Sequence, residues 1–136
     1  MELREVMTPN PTICSPDTSA AQAAKMMRDQ DIGDVLVQHD GSLGIVTDRD
    51  IVTRAVAAGR DPKEVTLGDI CTPDVETVSP DTSIDDVIRL MSDKAVRRVP
   101  VVEAGKPVGI VALGDLAVDR DRRSLLADIS AAPPSS

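Results

Sequence analysis

Two stretches of the chain carry the same apolar spacing. Ile84, Val87, Ile88 and Met91 fall at i, i+3, i+4 and i+7, and Ala20, Ala23, Ala24 and Met27 fall in the same order earlier in the chain, so each stretch predicts an amphipathic helix. Two β-rich runs follow each helix. They are Val35-Leu36-Val37 and Leu43-Gly44-Ile45-Val46 in the first copy, and Val99-Pro100-Val101-Val102 and Val108-Gly109-Ile110-Val111 in the second. Asp40-Gly41 and Ala104-Gly105 separate the runs, which predicts two β-hairpins. Short apolar runs at residues 11–14 and 75–78 predict a strand before each helix. Second helices are expected from about residue 48 to 58 and from about 114 to 119. Leu3-Arg4-Glu5-Val6 and Leu67-Gly68-Asp69-Ile70 each predict a short helical lead-in, grouped here with the repeat that follows. The repeating unit is therefore β-α-β-β-α, an α/β (α+β) arrangement.

The register of the repeat is close. Thr8-Pro9 returns as Thr72-Pro73 and Ser15-Pro16-Asp17-Thr18-Ser19 as Ser79-Pro80-Asp81-Thr82-Ser83, an offset of 72 − 8 = 64. Gly44-Ile45-Val46 returns as Gly109-Ile110-Val111, an offset of 109 − 44 = 65, which places one extra residue in the second hairpin turn. Thr82 and Asp85 have capping-box-like spacing at the start of the second long helix. A domain of about 60 residues buries only around 60% of its unfolded surface, so the two copies are expected to pair. The division along the chain is 1–58 for the first repeat with its lead-in, 59–66 for a polar linker, 67–119 for the second repeat with its lead-in, and 120–136 for a partly disordered tail.

Composition narrows the function. The 136 residues include no aromatic side chain and carry a formal charge of −8, so the core must be aliphatic. Stacking platforms for single-stranded nucleic acid are excluded, and a phosphate-tracking surface is argued against despite the Arg120, Arg122 and Arg123 cluster. No apolar run approaches a membrane span and the N-terminus lacks a signal-peptide apolar region, which gives a cytoplasmic expectation. Cys14 and Cys71 have neither disulfide-framework nor metal-site spacing, and His39 has no second ligand near it in sequence. No nucleophile–base set or phosphate loop is present, so no enzyme, no metal and no resident cofactor are expected.

The segment with most chemistry is Gly44-Ile45-Val46-Thr47-Asp48-Arg49-Asp50, where a strand ends and a helix begins. Thr47 and Asp50 have the spacing of a capping box, which needs no ligand. The second copy keeps Asp115 but has Ala112 in place of the hydroxyl, so its carboxylate is not explained by a reciprocal cap. A carboxylate can accept from both hydroxyls of a ribose, with a threonine hydroxyl beside it, and Arg49 could meet an attached phosphate. Arg97 and Arg98 open a strand in the second copy and point to opposite faces, so at most one faces a given cleft. The first copy has Ile32-Gly33-Asp34 there and brings no positive charge.

With these residues in view, the chain resembles a CBS-domain pair, or Bateman module, of the stand-alone bacterial type, over roughly residues 6–119. The resemblance implies two copies packed pseudo-symmetrically through their sheets, often as a homodimer, and clefts for AMP, ADP, ATP or S-adenosylmethionine. It implies one site from Thr47 and Asp50 with Ser79, Ile84 and Val96, and a second from Asp115, Arg97 and Arg98 with Ser15, Ala20 and Ile32. The family pattern of Thr/Ser-x-x-Asp is complete at Thr47–Asp50 and broken at Ala112. The function expected is a regulatory adenosyl-ligand sensor acting on a separate, unknown effector protein. The alternative is a ligand-free interaction or stress-response scaffold.

Overall fold

The computed structural model describes residues 2–118. The expected helix end at Asp119 and the tail 120–136, with its three arginines, lie outside the described residues. In chain order the elements are α1 (Leu3–Val6), β1 (Thr8–Pro9), β2 (Ile13–Cys14), α2 (Ala20–Gln30), β3 (Asp34–His39), β4 (Ser42–Thr47) and α3 (Asp48–Asp50), which runs on as a π-helix over Ile51–Val56. Then come α4 (Leu67–Ile70), α5 (Ile84–Lys94), β5 (Arg98–Glu103), β6 (Lys106–Ala112) and α6 (113–118). This is an α+β fold with two three-stranded sheets. The chain forms two compact units, one of Pro11–Val75 and one that joins the first ten residues to the chain from Glu76 onward.

The two long helices start and stop for local reasons. Ser19 caps α2: its hydroxyl accepts from the Gln22 N–H at 3.1 Å, and Gln22 Oε1 accepts from the Ser19 N–H at 3.1 Å. Ser83 caps α5 by accepting from the Asp86 N–H at 3.1 Å. The sequence had pointed to Thr82 as that cap. Its hydroxyl instead accepts from the Ser79 N–H at 3.1 Å within a turn closed by Thr82 N–H to Ser79 carbonyl, so the helix begins one residue later. Both helices end on a left-handed residue, Asp31 (φ 53°) and Ala95 (φ 54°).

Each unit has its own core. In Pro11–Val75, Ala20, Ala23 and Met27 of α2 pack with Val35, Val37 and Val46 of the sheet, together with Val65, Leu67 and Ile70. In the other unit, Ile84, Val87 and Met91 of α5 pack with Val99, Val101, Val111, Leu116 and Leu3. Burying each large aliphatic side chain contributes about 1.5–3 kcal/mol. The helical periodicity of the sequence thus selects the buried faces, while the small alanines of α2 are complemented by three aliphatic side chains from beyond the first repeat.

The sheets share one plan. β3 and β4 pair antiparallel through a two-residue turn at Asp40-Gly41, and β5 and β6 through one at Ala104-Gly105. All four turn residues have positive φ, as a tight hairpin matched to strand twist requires. The extra residue of the second copy is therefore not in the turn. Val101 faces Gly109 and Val102 faces Pro107, which leaves Val108 as a bulge in β6. There its carbonyl accepts from the Asn10 N–H at 3.3 Å. β2 lies parallel to β3, whereas residues 75–78 contribute only a bridge from Val78 to Val101 and do not form the regular strand expected from their apolar run. Val75 is drawn away to the first unit, where its N–H donates to the Leu43 carbonyl at 2.9 Å.

The lead-ins differ most from the sequence grouping. β1, which follows α1, pairs with β6, and Thr72, which follows α4, pairs with Ile45 of β4 through two 3.0 Å hydrogen bonds. Each lead-in joins the sheet of the other repeat, so the divisions 1–58 and 67–119 cut across the compact units. Two glycines admit this packing. A Cβ on Gly109 would meet Met7 Sδ at 2.5 Å and the Thr8 carbonyl at 3.0 Å; one on Gly44 would meet Cys71 Sγ and the Thr72 carbonyl, each at 3.1 Å.

Candidate functional site at the strand to helix junction

At the end of β4 the chain turns into α3, and Thr47 is the residue at the step. Its N–H donates to Asp50 Oδ2 at 2.9 Å, and its hydroxyl accepts from the Asp50 N–H at 3.2 Å. The capping box read in the sequence is formed in both directions. Thr47 is half-buried and the Asp50 side chain is only 17% exposed. Asp50 Oδ1 faces Arg54 Nε at 3.7 Å. The N–H of Asp48 donates to the Gly33 carbonyl at 3.0 Å, tying the junction to the turn before β3. Arg49 is exposed beside these groups, and its own N–H is held by Asp48 Oδ1 at 2.8 Å. The junction therefore joins Thr47 and Asp50 in one reciprocal cap, with Asp48 and Arg49 exposed between them in the chain.

The corresponding junction in the other unit keeps its backbone form. Leu113 N–H donates to the Arg97 carbonyl at 2.7 Å, as Asp48 does to Gly33. Ala112 is half-buried and has no oxygen to offer, and Asp115 is exposed on α6. Arg98 opens β5 directly opposite Ala112 and is half-buried, whereas Arg97 is exposed. Only Arg98 is a strand residue; Arg97 lies in the bend before β5, so the expectation that both arginines open the strand is corrected, and the Arg97 carbonyl is what ties this bend to the Ala112 step.

The remaining candidates spread over the units. Ser15 is exposed and its hydroxyl accepts from the Asp17 N–H at 3.1 Å; Ser79 is exposed within the Thr82 turn. Ala20 is fully buried in its own core, and its N–H donates to the Val65 carbonyl at 2.8 Å. Ile84 is 7% exposed at the start of α5. Ile32 and Val96 are half-buried just past the far ends of α2 and α5. An 11-residue helix is about 16 Å long, so neither unit brings Ala20 to Ile32 or Ile84 to Val96.

Among the described residues, cavities open away from this junction. One of about 340 Å³, lined in part by Ile84, lies between Glu2, Leu3 and residues 80–85; another of about 290 Å³ lies among Pro16, His39, Ser42, Cys71 and Asp74. Neither includes Thr47 or Asp50. Burial pushes the Cys14 thiol above its ordinary value. The Cys71 thiol is raised too, chiefly by burial and also by the Asp50 and Asp74 charges, while Arg54 and a backbone hydrogen bond pull it down. Among the described residues no three His, Cys, Asp or Glu side chains come together as a metal site would need, and no helix is long and apolar enough to cross a membrane.

Sequence reasoning passed over Arg54. Its i, i+4 spacing from Asp50 on a predicted helix was a readable signal. Its second contact, with the Ile70 carbonyl 16 residues away at 2.9 Å, was not.

Comparison with known proteins places this geometry in a family. The CBS domain model matches residues 3–57 and 67–118, two copies in one chain. The chain is 38% identical over 116 residues to the protein MK0525 of Methanopyrus kandleri, covering 83% of this chain and 57% of that protein's length. It is 35% identical over 119 residues to the CBS domain-containing protein YhcV of Bacillus subtilis, covering 87% of this chain and 84% of that one. A hexameric CBS-CP12 protein from bloom-forming cyanobacteria superposes with a TM-score of 0.82 at 28% identity, over 91% of this chain and 73% of that chain. The chain belongs to the CBS-domain family, with two CBS repeats.

Proposed function

We propose that the chain is a regulatory module that binds an adenosyl ligand, AMP, ADP, ATP or S-adenosylmethionine, and acts on a separate effector protein in the cytoplasm. The observation that carries this reading is the half-buried Thr47–Asp50 pair at the β4–α3 junction. Asp50 Oδ1 keeps acceptor capacity toward a diol, because the cap consumes Oδ2. The Thr47 hydroxyl spends a lone pair on the Asp50 N–H and retains its proton as a donor. Arg49 adds a nearby charge for a phosphate. Asp115 with Arg97 and Arg98 is read as a second, weaker site, since Ala112 removes one hydrogen-bonding hydroxyl. Ser79, Ile84, Val96, Ser15 and Ile32 rest on family resemblance alone, and Ala20, fully buried in its own core, is given no ligand contact. The reading is of binding and regulation rather than catalysis. The hexameric CBS-CP12 relative supports self-association, here proposed as a homodimer.

A second reading has its own support. The Thr47–Asp50 cap is satisfied in both directions without a ligand, which suits a ligand-free interaction scaffold. Thermal unfolding with saturating AMP, ADP, ATP and S-adenosylmethionine separates the two. Ligand at a hundred times its dissociation constant adds about 2.7 kcal/mol, so the adenosyl reading expects a ligand-selective rise of several degrees in Tm. A flat response to all four, on folded protein stripped of nucleotide, would favour the scaffold.

A further inference from the structure

Arg54 stands between the candidate binding carboxylate and a distant helix end. From the π-helical segment it sets Nε 3.7 Å from Asp50 Oδ1 and donates through Nη1 to the Ile70 carbonyl at 2.9 Å. Ile70 ends α4, and the next two residues are Cys71, whose Sγ lies over Gly44, and Thr72, which is paired to Ile45. A guanidinium is a rigid plane, so it cannot turn toward one partner without changing its contact with the other. π-Helical turns are rare and occur frequently at functional sites, and this one carries the residue that makes both contacts. The equivalent position in the second repeat, 54 + 65 = 119, is an aspartate in the sequence, so the second repeat carries no cation there.

We propose that Arg54 is a positioning and coupling residue, which orients Asp50 for a diol-bearing ligand and passes the state of that carboxylate to the C-terminal end of α4. The identity of the ligand rests on the adenosyl reading, whereas the wiring rests on the two contacts alone. Asp50 Oδ2 is held by the Thr47 N–H. Oδ1 is therefore the oxygen shared between Arg54 and an incoming hydroxyl. A hydroxyl donating to Oδ1 withdraws negative charge from the guanidinium, and the guanidinium resettles against Ile70. Cys71 follows directly and reports the change, since its half-buried thiol lies within the fields of both Arg54 and Asp50.

The test is a double-mutant cycle read by iodoacetamide alkylation of Cys71, with peptide mass spectrometry to separate it from buried Cys14. The full chain is compared as wild type, Asp50→Asn, Arg54→Lys and the double variant, without ligand. Arg54→Lys keeps the charge but loses the two-sided reach; Arg54→Gln is the second variant, and thermal unfolding confirms that each is folded. Asp50→Asn should change the Cys71 rate roughly two- to tenfold, the range between an exposed ion pair and a charge-assisted hydrogen bond, and should change it little once Arg54 is replaced. An equal factor in both backgrounds would mean that Asp50 acts on Cys71 through space alone and would overturn the proposal. A second arm titrates AMP, ADP, ATP and S-adenosylmethionine. Binding that alters the Cys71 rate in wild type, with weaker binding and no rate change in Arg54→Lys, supports the coupling; an unaltered rate response in Arg54→Lys overturns it. If none of the four binds wild type, the adenosyl reading fails and the ligand-free cycle still decides the role of Arg54.

Discussion

Thr47 and Ala112 occupy the same step in two copies of one unit, the last residue before a helix, and the two copies use that step differently. In the first, a hydroxyl and a carboxylate close a reciprocal cap; in the second, the chain turns with the same backbone hydrogen bond but without a side-chain cap at Ala112. The same contrast recurs at left-handed positions. Asp31 and Asp40 hold positive φ in the first copy, and Ala95 and Ala104 hold it in the second. A short polar side chain tolerates this conformation better than alanine does. The backbone plan thus survives the loss of the side chains that suit it best. Where the polar group is retained together with its partners, as at Thr47, Asp50 and Arg54, the first copy concentrates the side-chain chemistry on which the proposed site rests.

The glycines that admit the exchanged lead-ins give the largest test of this comparison. Gly109→Ala should destabilise by about 1–3 kcal/mol, because the added methyl meets both Met7 and the Thr8 carbonyl. Gly44→Ala should cost less, since its contacts are looser by a few tenths of an ångström; denaturant unfolding orders the two, and a larger loss at Gly44 would contradict the geometry. Next in size is the cap. Thr47→Ala should cost about 1 kcal/mol, and Ala112→Thr should recover part of that in the second copy if the hydroxyl reaches the Asp115 N–H. At the left-handed positions Ala95→Gly and Ala104→Gly should each stabilise by about 0.5–1 kcal/mol, while Asp31→Ala should destabilise, all seen as opposite shifts in Tm. The smallest effect concerns pH. Hydrogen bonds from Thr66 hold the Asp69 carboxyl below its ordinary value, so its contribution to stability is present above the usual carboxylate range and is lost as pH falls through the lowered value. Asp69→Asn should flatten that acid limb slightly; a steeper acid loss in the variant would reverse the sign.

Much of this was legible in the chain because it is local. The i, i+3, i+4 spacing around Val87, the Asp40-Gly41 turn and the lead-in turn at Leu67-Gly68-Asp69-Ile70 are settled by residues a few positions apart, and each forms where the pattern puts it. The change of offset from 64 to 65 announced one extra residue. Its placement at Val108 depends on β1, which arrives from a hundred residues away and pairs along β6. Which core a lead-in enters is likewise decided by close approach at Gly44 and Gly109, a contact with no periodic signature. At the candidate site the Thr47–Asp50 spacing was readable, whereas the hold of Arg54 on Ile70 depends on how α4 folds back and could not be read from spacing.

The most direct measurement is calorimetric titration of wild type, Asp50→Asn and Asp115→Asn with the adenosyl ligand that gives the largest rise in Tm. Asparagine at position 50 keeps an acceptor for the Thr47 N–H, so the cap is largely spared while the charge is lost. Binding should weaken by ten- to about a hundredfold in Asp50→Asn, the loss of one charge-assisted hydrogen bond, and change far less in Asp115→Asn. Unchanged affinity in Asp50→Asn, on folded protein, would contradict the assignment of the Thr47–Asp50 junction as the principal ligand site.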